Sequence, residues 1–399
     1  MRRQRKTFAV ARTLAIAACC ALALGGCSTM KGWFGGGEKS AAKKASEPAE
    51  LVDFTPTASV SRIWSAGVGK GEGRLGLRQA PVVADGRVFA AALSGGVHAL
   101  DLHSGSRAWH HDSDIAISGG PGVGDGLVVV GGLKGEVLAL DAATGAERWS
   151  ARVLSEVIAP PTIGQGIVLV RSNDGRLTAF DADSGERRWF WVQELPSLTV
   201  RGNDAAALGP GFVFVGNDDG TVTALGLADG RQLWELTVAE PDGRTELDRM
   251  ADVDGTPVLD GTILYASSFK GKTLAVDAPS GRIIWISDHG GPNRPGLTID
   301  KVLVADVAGS VWAVDRSSGT AAWQQPALAR RSPGAVAVHG DFAVVGDYDG
   351  YLHWLRLSDG ALAARDRAGR SAIRGAPVVA DGVLLVQNVD GDLSAWRVQ

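Results

Sequence analysis

The chain's 399 residues suffice for two ordinary domains or one large all-β domain, and 45% hydrophobic residues can supply a substantial core. Its 54 glycines point to a fold with many tight turns. The formal net charge is −4, yet residues 1–26 hold five basic side chains (Arg2, Arg3, Arg5, Lys6, Arg12) and no acidic one. The remainder is therefore more acidic still, which excludes the basic footprint that sequence-independent nucleic-acid binding needs.

The basic start is followed by an apolar run from Leu14 to Leu24, the layout of an export signal. The run is too short to span a bilayer, which takes about 20 apolar residues. It ends in Leu24-Gly25-Gly26-Cys27, which resembles the lipobox of bacterial lipoproteins; a plain secretory signal that happens to hold a cysteine is the alternative. The resemblance implies cleavage after residue 26 and lipid attachment at Cys27. Ser28 in place of Asp then implies the outer membrane, at its periplasmic face. Several acyl chains on one residue anchor firmly, whereas one binds marginally. All three cysteines (Cys19, Cys20, Cys27) lie in or beside this segment, so no disulfide, thiolate metal site or cysteine nucleophile is expected beyond it. Residues 27–56 are rich in Gly, Ser, Ala, Lys and Glu and are expected to be a flexible tether.

From residue 57 onward one phrase recurs: Ala, any residue, Asp, two residues, Ser/Thr/Asp, Gly, three residues, Trp. It ends at Trp109, Trp149, Trp189, Trp234, Trp285 and Trp323, and a seventh copy has Ala364 where the Trp would stand. An eighth copy is divided between Ala395-Trp396-Arg397-Val398 and Ser61-Arg62-Ile63-Trp64. Before each phrase two apolar runs flank a Gly-containing turn, as at Asp85-Gly86 and Asp381-Gly382, a strong signal for a tight hairpin. Each unit of about 40 residues thus holds four short antiparallel strands, the size of a propeller blade. The expected fold is an all-β, eight-bladed β-propeller over 57–399, closed by the N-terminal strand joining the C-terminal blade. A linear solenoid would instead carry capping repeats at both ends. The repeated Trp is expected to fill the wedge between blades, and the Asp and Gly before it to make a turn.

Catalytic constellations are thin. The seven histidines show no zinc-ligand spacing. Asn217-Asp218-Asp219-Gly220 and Asp347-Tyr348-Asp349-Gly350 lack the rest of a calcium loop and fall where hairpin turns are needed. No Walker A pattern or Gly-x-Ser-x-Gly elbow occurs, and the expectation is no catalytic residue, no metal and no cofactor.

The repeated phrase resembles the tryptophan-docking repeat of the pyrroloquinoline quinone dehydrogenases, which implies a quinone-binding periplasmic redox propeller as an alternative function. Those enzymes use adjacent cysteines and Ca²⁺ beside the quinone. This chain has no cysteine after Cys27 and no Cys-x-x-Cys-His motif, which weighs against that activity.

Lipobox, tether and eight repeats together resemble the BamB family of outer-membrane β-barrel assembly lipoproteins over essentially the whole chain. The more specific stretches are Leu195-Pro196-Ser197-Leu198-Thr199-Val200-Arg201-Gly202, Thr245 to Asp254, and Val345 to Trp354. The resemblance implies a non-catalytic scaffold that docks on the periplasmic POTRA domains of BamA and works beside other assembly-machinery lipoproteins. Unfolded outer-membrane proteins are its implied clients, and it assists their folding and insertion. The residues carried over are Leu198 and Val200 as apolar anchors, with Arg201, Asp252 and Asp254 as charged groups at the rim. Loop length points to the same place. The next inner strand opens at Pro121 after Trp109 and at Pro161 after Trp149, but the connections after Trp189 and Trp234 are longer and are neighbours. Extended loops on a rigid scaffold are where binding residues collect. Strand addition at an exposed blade edge is a second mode of partner binding open to such a fold.

Overall fold

The structure, a computed structural model, describes residues 47–72, 75–199, 204–245 and 249–399. Glu50–Gln399 forms one compact unit. It is all-β, with eight four-stranded antiparallel sheets as blades. Blade 1 runs from its inner strand Val82–Ala84 to its outer strand Arg107–His111, and blade 2 from Ile117–Gly124 to Glu147–Arg152. Blade 3 runs from Thr162–Gly164 to Arg187–Val192, blade 4 from Ala207–Gly209 to Gln232–Thr237, and blade 5 from Val258–Asp260 to Arg282–Ser287. Blade 6 runs from Gly296–Leu297 to Ala321–Gln325 and blade 7 from Ala337–His339 to Leu362–Arg367. Blade 8 takes three strands from the C-terminus and its outer strand, Val60–Gly67, from the N-terminus. Trp64 pairs with Ala395 and Val60 with Val398, so the ring is closed by the expected strand exchange.

Why these residues make blades is visible in the two middle strands of each sheet. Runs such as Val88 to Ala91, Val128 to Val130 and Ala343 to Val345 are apolar on both faces because a neighbouring sheet covers each face. The inner hairpins of blades 1, 2 and 8 turn on two residues of positive φ: Asp85 (49°) with Gly86 (70°), Asp125 (48°) with Gly126 (75°), and Asp381 (47°) with Gly382 (70°). That is the turn whose twist matches the flanking strands.

The repeated Trp and Gly meet across blade boundaries. The indole N–H of Trp149 donates to Ala182 O at 2.8 Å, and that of Trp323 to Leu357 O at 2.9 Å, each in the following blade. The rings of Trp64, Trp109, Trp149, Trp189, Trp234, Trp285 and Trp323 lie on Gly105, Gly145, Gly185, Gly230, Gly281, Gly319 and Gly360. Those glycines have φ between 68° and 76°, and any Cβ there would fall 2.4–2.9 Å from the indole. Only glycine satisfies both demands. The Asp of the phrase holds the same turn: Asp101 Oδ1 accepts from Ser104 N at 2.8 Å and from Ser104 Oγ at 2.7 Å.

The eighth boundary is built differently. Blade 8 has no turn between its last two strands, because Asp392–Val398 and Val60–Gly67 come from opposite ends of the propeller's sequence, so nothing remains for a Trp at position 364 to dock on. Ala364 is buried with Trp354 and Trp396, whose rings are 6.2 Å apart, and Ala58 and Val60 pack alongside. Thr57 N and Ala58 N both donate to Ala363 O, and Arg365 donates to Val52 O at 2.9 Å. Residues 50–56, expected in the tether, are therefore part of the compact unit and run beside blade 7. No helix among the described residues is long and apolar enough to cross a membrane.

Candidate functional site

Every connection from an outer strand to the next inner strand leaves the ring on the same face, together with the hairpin turns between the two middle strands. Connection 193–206 joins blades 3 and 4, and connection 238–257 joins blades 4 and 5. Both are held to that face by polar contacts. Gln193 N donates to Gly175 O at 2.9 Å, and its side-chain amide donates to Asp219 Oδ2 at 2.7 Å. Thr256 N donates to Asp204 Oδ2 at 3.1 Å, which ties one long connection to the other.

Leu198 is 41% exposed on the first of these connections and Leu195 37%, while Leu154 on the preceding connection is 79% exposed. Leu154, Leu195 and Leu198 are thus exposed apolar side chains on two consecutive connections of one face, above blades whose middle strands are buried. Val200 and Arg201 lie outside the described residues. Further round the same face Met250, Phe269, His289, Val307 and Trp312 line a hollow of about 390 Å³, with the His289 ring stacked 3.9 Å from Trp312. Sequence reasoning does not reach that hollow. Its one visible signal is Trp312, a tryptophan outside the docking phrase.

Asp252 and Asp254 are not at the rim. They are 0% and 1% exposed, respectively. The end of the second long connection is drawn inward: Val253 N donates to Asn217 O at 3.0 Å, Phe269 N donates to Asp252 O at 2.8 Å, and Val253 packs on Gly216 in the core. The two carboxylates meet Asp218 from the blade 4 hairpin turn, and one oxygen of each of the three lies within 4.8 Å of the others. Arg171, buried at the end of a blade 3 strand, places Nη2 3.6 Å from Asp218 Oδ1 and donates through Nη1 to Gly216 O. Burial pushes the Asp254 carboxyl up to about 8, with Arg78 opposing the rise and Asp252 and Asp218 adding to it. Burial also raises Asp218, against the pull of Arg171, and draws Arg171 below the ordinary arginine range. Sequence reasoning gives Asp218 only a turn and passes over Arg171; an arginine directly after the apolar run Ile167 to Val170, within one strand, is the available sign.

At the ring's centre the inner strands enclose a cavity of about 440 Å³, lined by Pro81, Pro121, Pro161, Asp204, Thr256 and Arg374 among others. Arg78 donates to Pro292 O at 3.2 Å, linking the 68–81 connection to the one between blades 5 and 6 across the ring.

Comparison with known proteins gives the same architecture a lineage. The family model described as outer membrane protein assembly factor BamB matches residues 93–325 and 309–398. The chain is 59% identical over 397 residues to the outer membrane protein assembly factor BamB of Xanthomonas campestris pv. campestris, covering 97% of this chain and 98% of that one. It is 41% identical to the BamB of Pseudomonas aeruginosa over 379 residues, covering 95% and 97%. The crystal structure of BamB from Moraxella catarrhalis superposes with a TM-score of 0.77 at 29% identity, covering 85% of this chain and all of that one (100%). Quinohemoprotein alcohol dehydrogenase from Comamonas testosteroni superposes at 0.68 with 17% identity over 87% of this chain and 78% of that one, a likeness of fold alone. With the family model matched over most of the propeller and relatives matched end to end, this chain belongs to the BamB family of outer membrane protein assembly factors.

Proposed function

We propose that the protein is a non-catalytic scaffold lipoprotein of the outer-membrane β-barrel assembly machinery. In this reading it is anchored through Cys27 at the periplasmic face of the outer membrane and reaches its partners on a tether that follows Cys27. It docks on the POTRA domains of BamA, alongside other lipoproteins of the machinery, and assists the folding and insertion of outer-membrane β-barrel proteins. The observation that carries the docking site is the run of exposed leucines, Leu154, Leu195 and Leu198, on consecutive connections of one face. Leu198, with Val200 and Arg201 beside it in sequence, supplies the contact. Asp252 and Asp254 take another role from the one their charge suggested: being buried, they shape the loop that borders the surface and do not meet the partner at its rim.

The test is recovery of BamA with the lipoprotein purified from native membranes. Replacing Leu198 and Arg201 together by Ala is expected to reduce that recovery strongly. Unchanged recovery would remove this site, and no recovery with the unaltered protein would remove the docking reading as a whole.

A further inference from the structure

The cavity at the ring's centre has the size and the donors of a small-molecule site. Its volume of about 440 Å³ falls within the roughly 300–1,000 Å³ of such sites. Pro81, Pro161 and Pro257 line it, each directly before an inner strand, and a proline ring gives a stiff wall with no N–H to satisfy. Among the described residues of the lining, the charged groups are Arg78, Arg294, Arg374 and Asp204, in a chain of net charge −4. The three arginines come from three connections: 68–81, 288–295 between blades 5 and 6, and 368–377 between blades 7 and 8. These connections meet, since Arg78 reaches Pro292 O, two residues from Arg294, and a Cβ on Gly76 would stand 3.6 Å from Arg374 Nη1.

A guanidinium offers five N–H donors, and few are used here. Arg78 gives one nitrogen to Pro292 O, and Arg374 gives Nη1 to Glu72 Oε1 at 3.1 Å. Arg294 is exposed and holds no hydrogen bond or ion pair with any described residue. Asp204 serves the loops: Oδ2 accepts from Thr256 N at 3.1 Å and Oδ1 from Ala205 N at 2.8 Å. Glu72, behind Arg374, and Asp254, which acts on Arg78 through space, lie outside the lining. Burial pushes their carboxyls up to about 7 and about 8, so at neutral pH they offset the guanidiniums only in part.

We propose that the central cavity binds a small organic anion, its carboxylate or phosphate head held by Arg78, Arg294 and Arg374 and its apolar body against the proline walls. Arginine suits this task, because its planar fork pairs two N–H groups with two oxygens of either head. Charge selects the ligand as much as shape does. An uncharged molecule of the same body would strip water from the guanidiniums and return no acceptor to them.

The experiment uses the full chain purified in detergent and titrated calorimetrically, at neutral pH and constant ionic strength, with phthalate, phenyl phosphate and benzyl alcohol. One saturable site per chain is expected for at least one of the two anions, and none for benzyl alcohol. Phthalate reports a preference for carboxylate and phenyl phosphate a preference for phosphate. Arg294→Gln and Arg374→Gln are each expected to weaken anion binding about tenfold, as for the loss of a charge-assisted hydrogen bond. Arg107→Gln, on the outer strand of blade 1, removes the same charge far from the cavity lining and is expected to leave affinity unchanged. Near-ultraviolet circular dichroism of the tryptophans confirms that each variant is folded. No saturable heat with either anion overturns the site, as does full affinity in the folded Arg294→Gln and Arg374→Gln proteins. Equal affinity for benzyl alcohol, or an equal loss in Arg107→Gln, overturns it too. None of these results depends on BamA, so the docking reading stands or falls separately.

Discussion

Trp64 and Gly105 join the two ends of the ring: the indole from strand Val60–Gly67, in blade 8, packs on a glycine of blade 1, and its N–H donates to Leu102 O at 3.0 Å. Gly105 has a φ of 69° and a Cβ placed there would come within 2.6 Å of the ring. Gly86 has nearly the same φ, 70°, but open space beside it. Ala at position 86 should therefore cost only the left-handed conformation, about 1–2 kcal/mol. Ala at position 105 adds a further ~1–3 kcal/mol for displacing the docked ring. Urea unfolding of the two variants measures the difference, and equal losses would show that docking contributes nothing.

The seventh repeat offers the converse test. Restoring the repeat's consensus by Ala364→Trp puts a large ring where Trp354 and Trp396 already fill the space and where no glycine turn awaits it. The substitution is expected to destabilise by about 1–3 kcal/mol through overpacking, although it makes the sequence more regular. Trp354→Ala, at a residue 0% exposed, should cost about 3–5 kcal/mol. A rise in the thermal midpoint of the Ala364→Trp protein would contradict this account of the eighth boundary.

Asp347 anchors a buried polar knot in blade 7. Its Oδ2 accepts from Arg331 Nε at 2.7 Å and from His353 Nε2 at 3.0 Å, while Oδ1 accepts from Asp349 N and Tyr351 N. Asp347→Ala leaves Arg331 and His353 facing an empty site in the interior. The loss is expected to reach about 3–5 kcal/mol, as for other buried pairs broken on one side. Chemical denaturation of the variant checks it.

Glu72 gives a pH dependence of defined sign. Its side chain is buried, and burial pushes the carboxyl up to about 7 despite the pull of Arg374, whose Nη1 donates to Glu72 Oε1 at 3.1 Å. The ordinary value of 4.5 applies once the chain unfolds, so between these pH values the folded state binds more protons. Stability contributed here is fully present below about 4.5 and is lost as pH rises through about 7. Glu72→Gln removes the titration. The midpoint of the unaltered protein minus that of Glu72→Gln should therefore become more negative from about pH 5 to about pH 8. A flat difference across that range would mean that Arg374 holds Glu72 charged.

The blades are legible in the sequence because one physical contact imposes two residue types at fixed spacing. A ring that lies on a turn demands Trp in one blade and Gly in the next, so Trp285 and Gly319 announce each other. The closing strand is legible for the same reason, as Trp64 stands at its expected place. The candidate site is less so. Asp252 and Asp254 sit in a long polar connection and read as surface groups, yet Asn217 O and Phe269 N draw that segment inward. Their companions Asp218 and Arg171 belong to blades 4 and 3, and only the packing of these neighbouring blades brings them together. Spacing along the chain carries no trace of such a meeting. Residues 50–56 differ in the opposite way: a composition suited to a tether hides Val52, whose carbonyl is held by Arg365.

Docking and folding should separate cleanly at two positions, one on each long connection. Leu198 is 41% exposed, so Leu198→Asp is expected to leave unfolding free energy within about 0.5 kcal/mol of the unaltered protein. If Leu198 is an anchor for the POTRA domains, the same change should cost about 2 kcal/mol or more of binding, roughly a 30-fold loss of affinity. Val253, 1% exposed and packed on Gly216, should behave in reverse. Val253→Ala is expected to lower stability by about 1–3 kcal/mol and to weaken docking only to the extent that connection 238–257 loosens. Affinity for isolated BamA POTRA domains and denaturant unfolding, measured on both variants, distinguish the roles. Equal affinity loss without any stability loss at Val253 would place the contact on the second connection, and full affinity in Leu198→Asp would take it away from the first.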